Sequence, residues 1–308
     1  MTTQPEHKIA AEVLRLRYSQ MYVNDGNKAK QFKCPIHLAL GHEAIAVALA
    51  AVLKAGDWLL CNHRNIHYNL ARSPGLRKKI DEYQGKISGE AAGQLGCMNL
   101  YNVATGVLYT SSILGNQMGV AAGVALGNRV GGRGGVAAVT IGDGAIEEGI
   151  FYESMLMMKT FRCAALTIVE NNGWSLGTEI HERRCEIKLD QWAASLGIPY
   201  YHIQGNDVFE YIERLKVAYA RAVADESPVI VEVALHTLGD WRMPTDEFPN
   251  GKYINYHAGA APNVQFNDNP VIEETADDPT FVLKQRLGNE TWGKLSQNVL
   301  AELREELK

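Results

Sequence analysis

The stretch from Gly135 to Thr178, GVAAVTIGDGAIEEGIFYESMLMMKTFRCAALTIVENNGWSLGT, leaves few folds open to the chain. Val136 to Ile141 is a short apolar run rich in β-branched residues and bounded by glycines, the pattern of a buried strand. Ala164 to Val169 is a second such run. Between them, Glu147 to Lys159 reads as a helix with acidic residues in its first turn, where the helix dipole favours them. Strand, helix and strand in that order form a βαβ unit and predict an α/β protein with a mostly parallel sheet.

Ligands of such units sit beyond the carboxyl ends of the strands. Those ends carry Gly142-Asp143-Gly144 and Glu170-Asn171-Asn172-Gly173-Trp174. One carboxylate, one amide oxygen and a backbone carbonyl just after it would make a half-shell of hard oxygen ligands. Mg²⁺ is held in this way, with phosphates completing its octahedron. The glycines beside Asp143 let backbone amides approach a phosphate, and the following helix directs its amino end there. The simpler alternative is a turn capped by Asp143, with Asn171 and Asn172 as loop formers. Two such clusters at the ends of adjacent strands weigh against it.

A chain of 308 residues, 46% hydrophobic and 21% charged, can bury one large core. No internal repeat or low-complexity linker divides it, so 1–308 reads as a single domain with helical extensions at both termini. A net charge of −5 and a pI near 6.0 speak against nucleic-acid or anionic-membrane partners. No apolar run is long enough for a transmembrane helix. The segment MTTQPEHKIAAEV has neither the apolar core of a secretory signal nor the bias of a transit peptide. Together with five scattered cysteines and no CxxC, this predicts a cytoplasmic protein with reduced thiols.

Before the central unit, residues 7–22 are spaced as an amphipathic helix that Asn24-Asp25-Gly26-Asn27 should end. His42 to Leu53 is apolar nearly all round and reads as a buried helix, followed by a strand over Asp57 to Cys61. The strand feeds a polar cluster, Asn62 to Tyr68. His63 and His67, four apart, could share a helix face as a metal pair, but with no third ligand evident surface or cap roles fit better. Arg64 is a candidate phosphate clamp, because its planar fork matches anionic oxygens. The run Arg77-Lys78-Lys79 reads as a solvated helix face, and Thr110 to Gly123 as a tight turn entering a small-residue helix.

After the central unit come a helix over Ile187–Leu196, a strand over Pro199–Ile203, and a helix over Val208–Ala224 capped by Asp207. Val229 to Leu235 is a further strand, which places His236 at the ligand-facing edge. Residues 242–269 read as a long irregular loop and 279–308 as a charged helical tail.

Taken in this order, the segments resemble the α subunit of thiamine-diphosphate-dependent 2-oxo acid dehydrogenases, the pyruvate, branched-chain 2-oxo acid and acetoin family. The resemblance runs from about residue 10 to 240, with a weaker echo at ADDPTFVLKQRLG. GDGAIEEGIFYESMLMM…VENNGW matches the thiamine-diphosphate signature. HLALGHEAIAVALAAVL, NHRNIHY, SILGNQMGVAAG and the GND ending at Asp207 support it.

The resemblance implies a three-layer fold with helices on both faces of the sheet. It implies Asp143 and Asn172 as side-chain ligands of Mg²⁺ and the Trp174 carbonyl as the backbone ligand. Gly142, Gly144 and Ala145 would lie along the diphosphate of the cofactor, approached by His63 and Arg64. Ser112 and Leu114 would hold the aminopyrimidine through backbone groups. His236, with His63, would act near the reacting carbon. The partners implied are a β-type subunit, two α with two β, which supplies the carboxylate that activates the pyrimidine, and a lipoyl-domain acyltransferase. The implied reaction decarboxylates a pyruvate-like 2-oxo acid and passes the acyl fragment to lipoamide.

The sequence departs from the family at RNIHY, where one residue is missing, and after Leu235, where HTLGDWRMPTDEFPNGKYINYHAGA replaces an HGHS-like segment and a basic loop. That second departure leaves room for a carboligase, similar to transketolase, with an aldehyde or ketone acceptor. A third reading is a non-catalytic subunit that binds cofactor only to order an interface. A nicotinamide dehydrogenase is disfavoured because GDGAIEEG lacks GxGxxG. Asp143→Ala is expected to abolish Mg²⁺-dependent thiamine-diphosphate binding; unchanged binding by calorimetry would remove the metal assignment.

Overall fold

The computed structural model describes residues 4–308; Met1 to Thr3, the start of the segment read for targeting signals, lie outside them. The chain opens with a long helix α1 (Gln4–Lys28) and the buried α2 (Glu43–Val52), then β1 (Trp58–Cys61), α3 (Ile66–Arg72) and α4 (Leu76–Tyr83). Next come β2 (Val107–Thr110) and α5 (Asn116–Val130). The βαβ unit follows as β3 (Ala137–Gly142), α6 (Gly149–Thr160) and β4 (Ala165–Asn171). A two-residue ribbon, β5 (Trp174–Ser175) and β6 (Thr178–Glu179), leads to α7 (Ile180–Arg183) and α8 (Leu189–Ser195). Then follow β7 (Tyr200–Ile203), α9 (Val208–Asp225) and β8 (Pro228–Ala234). The chain closes with a hairpin of β9 (Asp240–Met243) and β10 (Lys252–Asn255), then α10 (Pro279–Leu287) and α11 (Asn289–Glu306).

Six strands form one sheet in the order β2-β1-β3-β4-β8-β7, and every pairing is parallel. Strand periodicity divides the core into two layers. Leu166 and Ile168 of β4 and Val229, Val231 and Val233 of β8 face α1, α2 and α9. Ala165 and Val169 of β4, Ala137, Val139 and Ile141 of β3, and Ile230 of β8 face α5, α6 and α8. The α/β class and the layering on both faces are thus as expected. The strands around Ile141, Val169 and Val233 and the Asp207 cap, which accepts from the amides of Phe209 and Glu210, also match. No helix among the described residues is long and apolar enough to cross a membrane.

Four local expectations are corrected. The first helix does not stop at Asn24 but runs to Lys28. Asn24 is buried, donates to the carbonyls of Ala261 and Val264, and accepts the Ala261 amide, so tertiary bonds satisfy its helix-breaking side chain. Lys79 is not on a solvated face: it is fully buried, 3.2 Å from Glu90. The irregular loop contains the β9–β10 hairpin. The tail is two helices broken at Gly288, whose φ of +75° a helix cannot continue through.

The amino-terminal helix is tied to the body by one buried guanidinium. Arg17 Nε and Nη2 donate to the two Glu43 oxygens at 2.7 and 3.1 Å, and Nη1 donates to Asp278 at 3.1 Å. All three side chains are fully buried. Arg17→Met would leave two buried carboxylates unpaired and is expected to lower stability by about 3–5 kcal/mol, read as a lower midpoint in thermal or urea unfolding.

Candidate active site

Parallel pairing of β3 and β4 sets Gly142 opposite Glu170, so the two polar clusters meet at one edge of the sheet. The Asp143 amide donates to the Glu170 carbonyl at 3.2 Å. The Asp143 side chain is buried. Gly144 must be glycine, because a Cβ there would lie 2.6 Å from Ser175 Oγ. The Asn172 side-chain oxygen accepts the Trp174 amide at 3.1 Å, and its nitrogen donates to Thr237 Oγ1 at 2.8 Å.

These groups line a cavity of about 310 Å³ at the carboxyl ends of the strands. Its wall includes His63 and Arg64 after β1, and Ser112 and Leu114 before α5. It also includes Gly142, Asp143, Gly144 and Ala145 after β3, and Asn172 and Trp174 after β4. His236 is not among the lining residues. The chain after the hairpin turns His257 into the wall instead, beside His37 and His63. Glu170, read in the sequence only as the first residue of its polar cluster, also lines the cavity, and His37, His42 and His257 are lining residues that no spacing in the sequence singled out. His37 and His42 lie within an apolar run, and His257 lies in a segment read as irregular.

His63 and His67 fall into different clusters, which corrects both the paired-ligand and the surface reading. His67 is fully buried in α3 and faces Glu170 at 3.2 Å. Arg64 is buried too, but its guanidinium donates to the Leu38 carbonyl and, at 3.0 Å, to that of His257. Part of the fork is therefore committed to backbone.

Burial raises the Asp143 carboxyl to about 6, against the ion pair with Arg183 at 2.5 Å, which lowers it. Glu170 has the opposite sign. Burial would raise it, but the imidazoles of His67 and His42 carry it well below the usual carboxylate range. Burial, aided by the Arg64 charge, lowers His63 to about 3 and His257 to about 4. Both therefore stand in the wall as neutral imidazoles at pH 7. A desolvated carboxylate and an amide oxygen lining one cavity, with a glycine pressed against the facing loop, fit a hard divalent cation and an anionic phosphate.

The parallel sheet and the polar cavity at its carboxyl edge define an α/β cofactor-binding protein with the thiamine-diphosphate-binding fold. Solved structures with this fold include transketolase variants of Pichia stipitis. One aligns with a TM-score of 0.60 at 14% identity, over 96% of this chain and 46% of that one. Residues 17–246 match the model of the dehydrogenase E1 component, and the chain belongs to that family, whose cofactor is thiamine diphosphate. It is 30% identical to the pyruvate dehydrogenase E1 component subunit alpha of Rhizobium meliloti over 64% of this chain and 57% of that protein. It is 25% identical to the somatic mitochondrial form of Bos taurus over 96% of this chain and 70% of that one. The bacterial match spans little more than half of its relative's length.

Because the folded pKa of Asp143 is raised, protons compete for this carboxylate at pH values where a free aspartate would be ionised. Divalent-cation affinity is expected to hold above about pH 6 and to fall by roughly tenfold per unit below it. Calorimetric Mg²⁺ titrations between pH 5 and 8 measure this, and a flat affinity would exclude Asp143 as a ligand.

Proposed function

We propose that this chain is the α-type subunit of a thiamine-diphosphate-dependent enzyme. It decarboxylates a pyruvate-like 2-oxo acid and passes the acyl fragment to lipoamide on an acyltransferase. The observation that carries this reading is the meeting of Asp143 and Asn172 at the ends of paired parallel strands, in a chain of the E1 family. Asp143, Asn172 and the Trp174 carbonyl would hold Mg²⁺. Backbone groups of Gly142, Gly144 and Ala145 would lie along the diphosphate, with His63 and Arg64 on its other side. Ser112 and Leu114 would position the pyrimidine through their backbones.

When bound, thiamine diphosphate supplies the electron sink that accepts the electron pair released as CO₂ leaves. The protein's part is orientation, exclusion of water and proton handling. His63 and His257, neutral at pH 7, can donate to a substrate carbonyl oxygen as negative charge develops there. Of the two histidines after β8, His257 lines the cavity and His236 does not. The mouth is rimmed by exposed apolar side chains, Ile113, Leu114 and Leu176. This supports a β-type subunit covering it in an assembly of two α and two β chains.

A carboligase with an aldehyde or ketone acceptor is the second reading. It is favoured by the β9–β10 hairpin, which brings an added wall residue, His257, to the cavity. The two are separated by supplying the β-type partner, pyruvate and either ferricyanide with a lipoyl domain or a sugar aldehyde. Turnover with ferricyanide and acylation of the lipoyl domain are expected. Ligation to the aldehyde with no lipoyl-dependent turnover would establish the carboligase instead.

A further inference from the structure

Asn172 can bind a cation only if its carboxamide presents oxygen, and a half-turn of the same side chain would present NH₂ instead. The contacts behind it settle the orientation. Asn172 Nδ2 lies 2.8 Å from Thr237 Oγ1, and Thr237 Oγ1 lies 2.8 Å from His42 Nε2. The other ring nitrogen, His42 Nδ1, is 2.9 Å from Glu170 Oε1, which His67 Nε2 approaches at 3.2 Å.

A carboxylate only accepts, so Nδ1 carries the His42 proton. Burial lowers the His42 pKa, so the ring is neutral at pH 7; with Nδ1 protonated, Nε2 accepts, and the Thr237 hydroxyl must donate to it. The remaining lone pairs of Thr237 Oγ1 then face Asn172, which can meet them only with its NH₂. The hydrogen bonds run in one direction, from Asn172 through Thr237 and His42 to Glu170. Thr237, His42 and Glu170 are 0, 2 and 4% exposed, so bulk water does not compete along the line.

The backbone holds the line in place. The Leu238 amide donates to the Leu40 carbonyl at 2.8 Å. Gly41, at φ +94°, packs so closely on this segment that a Cβ would lie 2.1 Å from the His236 carbonyl oxygen. At the cavity end, Asn172 Oδ1 accepts the Trp174 amide with one of its two lone pairs, and Asn172 and Asp143 line the same cavity.

We propose that Thr237 and His42 are positioning residues that lock the Asn172 carboxamide with its oxygen toward the cation site next to Asp143. This rests on the reading of Asn172 as a cation ligand. Partners behind a metal ligand fix its orientation in this manner, and losing one costs about 10- to 100-fold in metal affinity. Val and Thr have nearly the same shape, so Thr237→Val removes the hydroxyl while leaving the packing.

The test uses the chain in complex with its β-type partner. Mg²⁺ affinity is measured by calorimetry with thiamine diphosphate present, and thermal unfolding is followed in parallel. Thr237→Val is expected to weaken Mg²⁺ binding by about 10- to 100-fold, while Thr237→Ser stays near the wild-type value. If Thr237→Val fails to fold, His42→Phe removes the next acceptor of the relay and is expected to weaken Mg²⁺ binding likewise. Wild-type Mg²⁺ affinity in whichever of these variants folds, or equal losses in Thr237→Val and Thr237→Ser, would overturn the proposal. Asn172→Ala separates the two levels. If it weakens Mg²⁺ binding and Thr237→Val does not, only the relay falls; if it changes nothing, the ligand reading falls first.

Discussion

Parallel pairing of β3 with β4 is the constraint on which the rest of the site depends. Gly142 opposite Glu170 in register puts Asp143 against the start of the Glu170–Trp174 segment. The Asp143 amide bonded to the Glu170 carbonyl carries that register one step beyond the strand. A one-residue slip would turn Val139 and Ile141 out of their core layer and move Asp143 away from Asn172. The apolar faces of both strands are buried, so that slip is expensive, and a site on the strand ends inherits the rigidity of the core.

Behind the cavity the chain buries polar groups as connected sets. Glu170 is gripped by His42 and His67, and His42 reaches Thr237. Arg17 joins Glu43 and Asp278 across three helices. Each member has a partner, as a low-dielectric interior demands, because an isolated buried charge would destabilise the fold more than any single contact stabilises it. Glu43 and His42 are adjacent, so the start of α2 links the helical clamp to the site.

The cavity wall mixes two buried carboxylates, Asp143 and Glu170, with neutral imidazoles and a guanidinium partly committed to backbone. This arrangement can anchor a cation and a phosphate at one end while offering uncharged proton donors elsewhere. Its apolar rim leaves the mouth open to a second chain. In the function proposed above, one chain supplies the anchoring half of a catalytic centre.

The sequence by itself determined the βαβ unit, the parallel sheet and the polar clusters of Asp143 and Asn172, and the family resemblance added the others of the ten residues that come to line one cavity. Those features are local: strand periodicity, glycines at turns and polar clusters at strand ends are encoded within a few residues of one another. Tertiary structure decided what depends on distant partners. Asn24 stays helical because Ala261 and Val264 meet its amide. His257 rather than His236 enters the wall because a hairpin folds back from β8. Asn172 points as it does because Thr237, His42 and Glu170, far apart in sequence, bond in one line. Hydrogen bonds between residues that stand 65 to 240 positions apart leave no periodicity to read, so only the folded chain shows them.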